Sequence, residues 1–269
     1  MKIQTIIDCH VHYNEGDIGK FLKEAQRRAM KICLIGNDSP SPQPRWKSND
    51  EVARVLKKYP DIIYGFAHIG LGYGKKTEDI KRYHGQGFKG LKFIYPADFY
   101  DKDEYFPAYA LAEKLKMVCL FHTGIVSPTP RDKEMRIASK YMHPLTIDAV
   151  ARAFPDLKII IAHLGIPFYE VGAQLIRIHP NVYADLSGSA VWGYIGREKL
   201  KSILDWRNDL FPGSTTYYHK LVYGSDAYVA EPYMLHAAKA GYIRLFNNLE
   251  LSKDLREKIF FATMQKLLK

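Results

Sequence analysis

Ile6-Ile7-Asp8-Cys9-His10-Val11-His12 opens apolar and β-branched and closes on two histidines two residues apart. Such a run predicts a strand. Side chains on a strand alternate faces, so Asp8, His10 and His12 are expected on one face and Cys9 and Val11 on the other. Two imidazoles side by side on a rigid strand supply half of a transition-metal site. For His-x-His alone, two satisfied polar residues at a strand end are the plainer account. The rest of the chain decides between them.

The first strand is expected over 3–10, and seven further apolar runs follow it. They lie at 32–36, 62–69, 90–94, 118–122, 159–163, 182–186 and 221–224. Helical periodicity fills the gaps at 19–30, 50–58, 78–84, 105–116, 145–154, 168–178 and 197–206. Two more helices are expected at 233–240 and 255–268. Eight strands recurring about every 31 residues, each followed by a helix, predict an α/β fold, a single (β/α)8 barrel over residues 1–269. An open doubly wound sheet would carry a Gly-rich phosphate turn after its first strand, and this chain carries His10-Val11-His12 there.

The chain has 269 residues, 47% of them hydrophobic, enough to bury a full core. Its net charge of +10 fits an anionic substrate or a nucleic acid. A lysine-rich surface explains the charge more simply, because the lysines are spread along the chain and form no tail. Cys9, Cys33 and Cys119 sit inside apolar runs at unrelated spacings and predict buried thiols, not a disulfide framework. The first residues run straight into a strand, so a cytoplasmic protein with no signal peptide and no membrane span is expected.

Barrel enzymes place their chemistry at the C-terminal ends of the strands. Those ends carry His10 and His12 on the first strand, Lys92 on the fourth, His122 on the fifth, His163 on the sixth and Asp226 after the eighth. Barrel closure sets the eighth strand against the first. Asp226 is therefore expected beside His10 and His12, and His122 can complete four ligands. Each residue taken singly has a plainer role, such as a satisfied strand-end histidine, a surface lysine or a capping Asp226. All of these must hold together to remove the site.

These residues sit in DCHVH at 8–12, GFKGLKF at 87–93, FHTG at 121–124, PDLKIIIAHLG at 155–165, HPNVYADLSG at 179–188 and YGSDA at 223–227. In this order and over most of its length the chain resembles the amidohydrolase superfamily, in the amidohydrolase-2-like branch of metal-dependent barrels. The resemblance implies one or two divalent ions, zinc by expectation, held by His10, His12, His122 and Asp226. It implies that His163 binds a second ion or contacts a metal-bound water. Lys92 matches a position where dinuclear members carry a carboxylated, bridging lysine. Lys92 and His163 together favour the dinuclear form. If Lys92 stays protonated, it becomes a cation for a substrate carboxylate or phosphate. One departure is visible: 261–264 lacks the Asn usual in the C-terminal helix.

The implied reaction is hydrolysis of a small-molecule amide, lactone or related bond by metal-activated water. Asp226 would carry the proton, and His163 would serve as second ligand or water-orienting base. Decarboxylation of an aromatic or unsaturated acid is the alternative. A metal-dependent nuclease of related barrel type is more remote, because such enzymes carry Glu where this chain has Lys92. A non-enzymatic metal-binding protein is a minor option. Asp8 and Asp185 are candidate partners of the histidines, Asp8 equally a structural carboxylate, and His68 is a candidate pocket residue. Loops at 37–49, 95–104, 124–143 and 187–196 carry Arg45, Trp46, Tyr95, Arg131, Arg136, Tyr141, His143, Trp192 and Tyr194. Such residues suit a planar or anionic small molecule. Assembly into a homo-oligomer stays open.

Overall fold

A computed structural model describes residues 5–38, 43, 45–73, 76–188, 195–205 and 216–269. Parallel strands β1 (Ile6–His12), β2 (Met30–Ile35), β3 (Ile63–His68), β4 (Gly90–Phe93), β5 (Val118–Phe121), β6 (Lys158–Ile161) and β7 (Val182–Asp185) pair in sequence order. The eighth barrel position is split. β8 (Leu221–Val222) pairs with β7, and β9 (Ala227–Tyr228) pairs with β1. Cys9 N donates to Tyr223 O at 2.9 Å and closes the ring between those two short ladders. The kinked segment between them carries Asp226, at φ 57°.

Helices cover the outside, among them α1 (Ile18–Arg27), α2 (Asn49–Lys58), α3 (Lys76–Gly85), α4 (Phe106–Lys114), α5 (Thr146–Ala153) and α6 (Tyr169–Ile178). They are followed by α7 (Arg197–Leu204), α8 (Tyr233–Asn248) and α9 (253–267). Local signals start several of them. At the head of α2, Ser48 and Glu51 form a reciprocal capping box, and Asp17 caps α1. α8 runs eight residues beyond the predicted end at 240, because Tyr242, Leu245 and Phe246 continue its buried face. None of the described helices is long and apolar enough to cross a membrane.

Two apolar layers result. Val11, Leu34, Ala67, Leu91, Phe93, Phe121 and Ile161 face the helices. Ile7, Cys9, Cys33, Phe66, Leu120 and Ile160 fill the barrel, and Met264, Leu267 and Leu268 of the C-terminal segment pack against them. Burying such a side chain contributes roughly 1.5–3 kcal/mol. Cys9, Cys33 and Cys119 are all buried and free.

The strict alternation expected on β1 does not hold. The register to β2 shifts between Asp8 and Val11. This bulge leaves Cys9 inside the barrel with Ile7 while Val11 faces the helices. It re-aims the end of the strand, as bulges beside sites do. β4 keeps its alternation. Leu91 and Phe93 pack outward, and Lys92 is fully buried. A Cβ at Gly90 would meet the Phe66 ring at 2.4 Å, so only glycine lets that ring fill the interior below Lys92.

Candidate metal centre

The C-terminal rim brings the expected residues together. Nitrogen or oxygen atoms of His10, His163 and Asp226 lie within 4.8 Å of one another. His12 Nε2 is 3.2 Å from Asp226 Oδ1 and 3.2 Å from His10 Nε2. His10 Nε2 is 3.4 Å from the same oxygen. The His122 ring centroid is 4.9 Å from that of His163. Lys92 Nζ lies among them, donating to His10 Nε2 at 2.9 Å.

Asp185 organises the cluster from below. Its Oδ2 accepts from His10 Nδ1 at 3.0 Å. Its Oδ1 accepts from His163 N at 2.8 Å, Ser187 N at 2.9 Å and Ser187 Oγ at 2.6 Å. His163 Nδ1 donates to Ser187 O at 3.0 Å. These bonds put the proton of His10 and His163 on Nδ1 and leave each Nε2 with a lone pair, the state a ligating imidazole needs. Ser187, also 3.0 Å from His10 Nδ1, is a functional neighbour that sequence reasoning missed. Its position two residues after Asp185 in the DLSG run is the signal that could have found it.

Asp8 takes the structural alternative. Its Oδ1 accepts from His10 N at 3.1 Å and Ser225 N at 2.9 Å, pinning the seam between β1 and the kink. Burial raises its carboxyl to about 7, against the lowering effect of those bonds. His68 is likewise structural, with Nδ1 accepting from Asp38 N and Nε2 donating to Ile94 O.

His163 does not end a strand, as 159–163 predicted. β6 stops at Ile161, and His163 (φ 59°) and Leu164 (φ 48°) turn left-handed. The bonds from Asp185 and Ser187 hold this costly backbone. Gly124 locks the adjoining loop. It has φ +106°, and a Cβ there would fall 1.8 Å from Ile166 O. Gly124→Ala is expected to lower stability by more than about 2 kcal/mol, read from the urea midpoint at unchanged slope.

Electrostatics disfavour the charged form of His10, His12 and His122 and keep Asp226 and Asp185 ionised. Burial lowers His10 to about 3, and the Lys92 ammonium acts in the same direction. Burial likewise lowers His12 and takes His122 well below its ordinary value. Burial pushes Asp226 and Asp185 up, but the histidines around them outweigh it and hold both well below the usual carboxylate range. Burial brings Lys92 down to about 8, against the pull of Asp226 and Asp185.

A divalent cation fits this donor set. Two Nε2 atoms face each other at 3.2 Å beside one carboxylate oxygen. Buried His122 Nε2 has no hydrogen-bond partner. A cation satisfies converging lone pairs that no donor among the described residues fully serves.

Above the cluster opens a cavity of about 270 Å³. His12, His122, His163 and Asp226 form its polar floor; Trp46, Tyr95, Tyr228, Ile94, Ile125 and Val126 form its walls. Trp46 and Tyr228 flank the His12 ring, at 4.3 and 5.4 Å. Tyr95 reaches the cavity from a left-handed residue (φ 56°) and accepts from Gln43 Nε2. The arginines singled out in the loops do not line it. Arg45 and Arg136 are exposed, and Arg131 pairs with Glu134. Tyr141 packs on Phe99, and His143 on Phe168. Trp192 and Tyr194 lie outside the described residues.

Solved structures share the architecture. An uncharacterized TIM-barrel protein from Bordetella bronchiseptica matches with TM-score 0.73 at 18% identity, over 98% of each chain. A probable 2-pyrone-4,6-dicarboxylic acid hydrolase from Acinetobacter baumannii, with citric acid bound, matches with TM-score 0.65 at 13% identity, over 98% of this chain and 99% of that one. A dihydroxybenzoic acid decarboxylase from Polaromonas, with bound manganese and the inhibitor 2-nitroresorcinol, matches with TM-score 0.61 at 16% identity, over 98% and 97%. Identities this low show a shared fold and nothing finer. No curated protein matches the chain. The amidohydrolase family pattern, in contrast, runs from residue 7 to residue 268, and the chain belongs to the amidohydrolase family.

Proposed function

We propose that this chain is a metal-dependent decarboxylase of a small, planar aromatic or unsaturated carboxylic acid. The observation that carries the reading is the slot itself. Aromatic walls from Trp46, Tyr95 and Tyr228 stand over a floor of imidazoles and one carboxylate. A flat ring fits between the walls with its acid group directed to the floor. The family is metal-dependent. His10, His12, His122 and Asp226 would hold the divalent ion, zinc or manganese, both of which such nitrogen and oxygen donors accept. Bound there, the ion supplies charge neutralisation for an oxyanion and a lowered pKa for water.

The chain's own residues do the rest. The aromatic walls orient the ring. Asp226, ionised and 21% exposed at its side chain, is the proton-carrying group that opens to the cavity. It takes a proton from the substrate or water and returns it to the carbon that loses carbon dioxide, so that R–COO⁻ plus H⁺ gives R–H and CO₂. His163, fixed by Asp185 and Ser187, holds its Nε2 lone pair toward the same point.

Hydrolysis of a planar ester, lactone or amide is the second reading. Asp226 favours it, because its carboxylate is held ionised and so is free to accept a proton from water in the resting state. Products separate the two. Carbon dioxide released from a panel of hydroxybenzoates is expected; oxygen from labelled water in an acid product, without carbon dioxide, would replace decarboxylation by hydrolysis.

Lys92 sets the number of ions. A lysine ammonium has donors only and cannot ligate, whereas its carboxylated form supplies two oxygens. Burial brings Lys92 down to about 8, which favours the free amine, the form that reacts with carbon dioxide. His122 and His163, with ring centroids 4.9 Å apart, offer a second ligand pair. Two ions per chain are expected after reconstitution with bicarbonate, and elemental analysis counts them. One ion would make Lys92 a substrate-facing ammonium.

A further inference from the structure

The net charge of +10 has no outlet in the site just described, and part of it gathers at the opposite end of the barrel. A cavity of about 590 Å³ opens beside the N-terminal ends of β7 and β8, between the end of α6 and the outer face of α9. Arg177, Lys220, Lys258 and Lys266 line it, and among its described lining residues none is acidic.

Lys220 is the unusual member. It is 7% exposed, yet no carboxylate among the described residues pairs with it. Its Nζ donates to His179 O at 3.2 Å and Pro180 O at 2.7 Å and lies 4.2 Å from the Tyr183 ring centroid. Those carbonyls follow the C-terminal end of α6, whose dipole offers about half an elementary charge. That accounts for the lysine as a helix-end partner and leaves much of its charge unbalanced. Burial brings Lys220 down to about 8, and the charge of Lys266 acts in the same direction. The nearby carboxylates pair with other cavity residues and not with Lys220: Asp148 with His179 as well as Arg152, and Asp254 with Lys258 at the rim. Packing explains a buried lysine, but not several further cations around the same cavity.

We propose that this cavity is a second binding site, for a small, multiply charged phosphate-type anion, with Lys220 as its buried anchor and Lys266 and Lys258 at its rim. Two donors of the Lys220 ammonium are spent on carbonyls, which leaves the third for an anion oxygen. The rim lysines add charge, and the Tyr183 ring covers the ammonium opposite. The site lies at the other end of the barrel from the metal centre, since Arg177, His179 and Lys220 precede β7 and β8 while Asp185, Ser187 and Asp226 end or follow them.

Calorimetric titration of the full chain with inorganic pyrophosphate, at ionic strength held constant with sodium chloride, tests the proposal. Saturable binding with one site per chain is expected. Lys266→Glu, at an exposed position, should weaken it about tenfold. Lys220→Met should abolish it while its own melting temperature stays at or above that of the parent, because an unbalanced buried charge is gone. If Lys220→Met does not fold, Lys266→Glu alone decides. No saturable binding at millimolar pyrophosphate, or unchanged affinity in Lys266→Glu, would overturn the site. Tight binding of a DNA duplex with none of pyrophosphate would overturn the assignment to a small anion.

Discussion

Asp226→Asn is expected to lower turnover by about 10³-fold and to leave the fold intact. Asp226 sits at φ 57°, a left-handed conformation that asparagine tolerates nearly as well as aspartate. The amide keeps the size of the side chain and one oxygen for His12 Nε2. It removes the proton acceptor that the surrounding histidines hold ionised. The loss should therefore appear in kcat, with an unchanged circular dichroism spectrum and melting curve. Turnover at the parent rate would mean that another group carries the proton.

The second large effect is at Asp185. In Asp185→Asn, the oxygen replaced by an amide either faces the three donors of His163 and Ser187 or faces His10 Nδ1. Either way a donor meets a donor in a fully buried place. The relaxed outcome for His10 is to move its proton to Nε2, which removes the lone pair aimed at Asp226. Metal affinity should fall about 10- to 100-fold, as it does when a ligand's supporting carboxylate is lost. Stability should fall by about 3 kcal/mol, because a buried network loses its acceptor. Metal titration and urea unfolding read the two effects separately. Parent-like values in both would show that Asp185 neither sets the His10 tautomer nor holds the turn at His163.

The rim residues were legible because each ends an apolar, β-branched run. His12, Lys92, His122 and Asp226 could be placed from strand order and barrel closure alone. Their exact orientation was not, because it comes from features that residue type does not announce. The bulge between Asp8 and Val11 depends on how β1 meets β2, and it breaks the period-two rule at the residues where that rule mattered most. The left-handed turn at His163 has no glycine to signal it before Gly165; it exists because Asp185, on another strand, accepts its N–H. The split of the eighth strand follows from Asp8 bonding Ser225, a pairing of residues 217 positions apart. Loop arginines misled for the same reason. Arg131 reads as an anion contact in sequence, and its neighbour Glu134 takes it. Trp46 and Tyr95 do reach the cavity, since Trp46 bridges to Asn14 and Tyr95 is held by Gln43.

Everything proposed for the rim depends on a metal held at the end of β1. Elemental analysis of the purified parent and of the His10→Ala, His12→Ala double variant, both reconstituted and then desalted, tests that claim directly. The parent should retain at least one divalent ion per chain, and the double variant should retain essentially none while still folded by circular dichroism. Full metal content in the double variant, or a parent that binds no divalent ion after reconstitution, would contradict it.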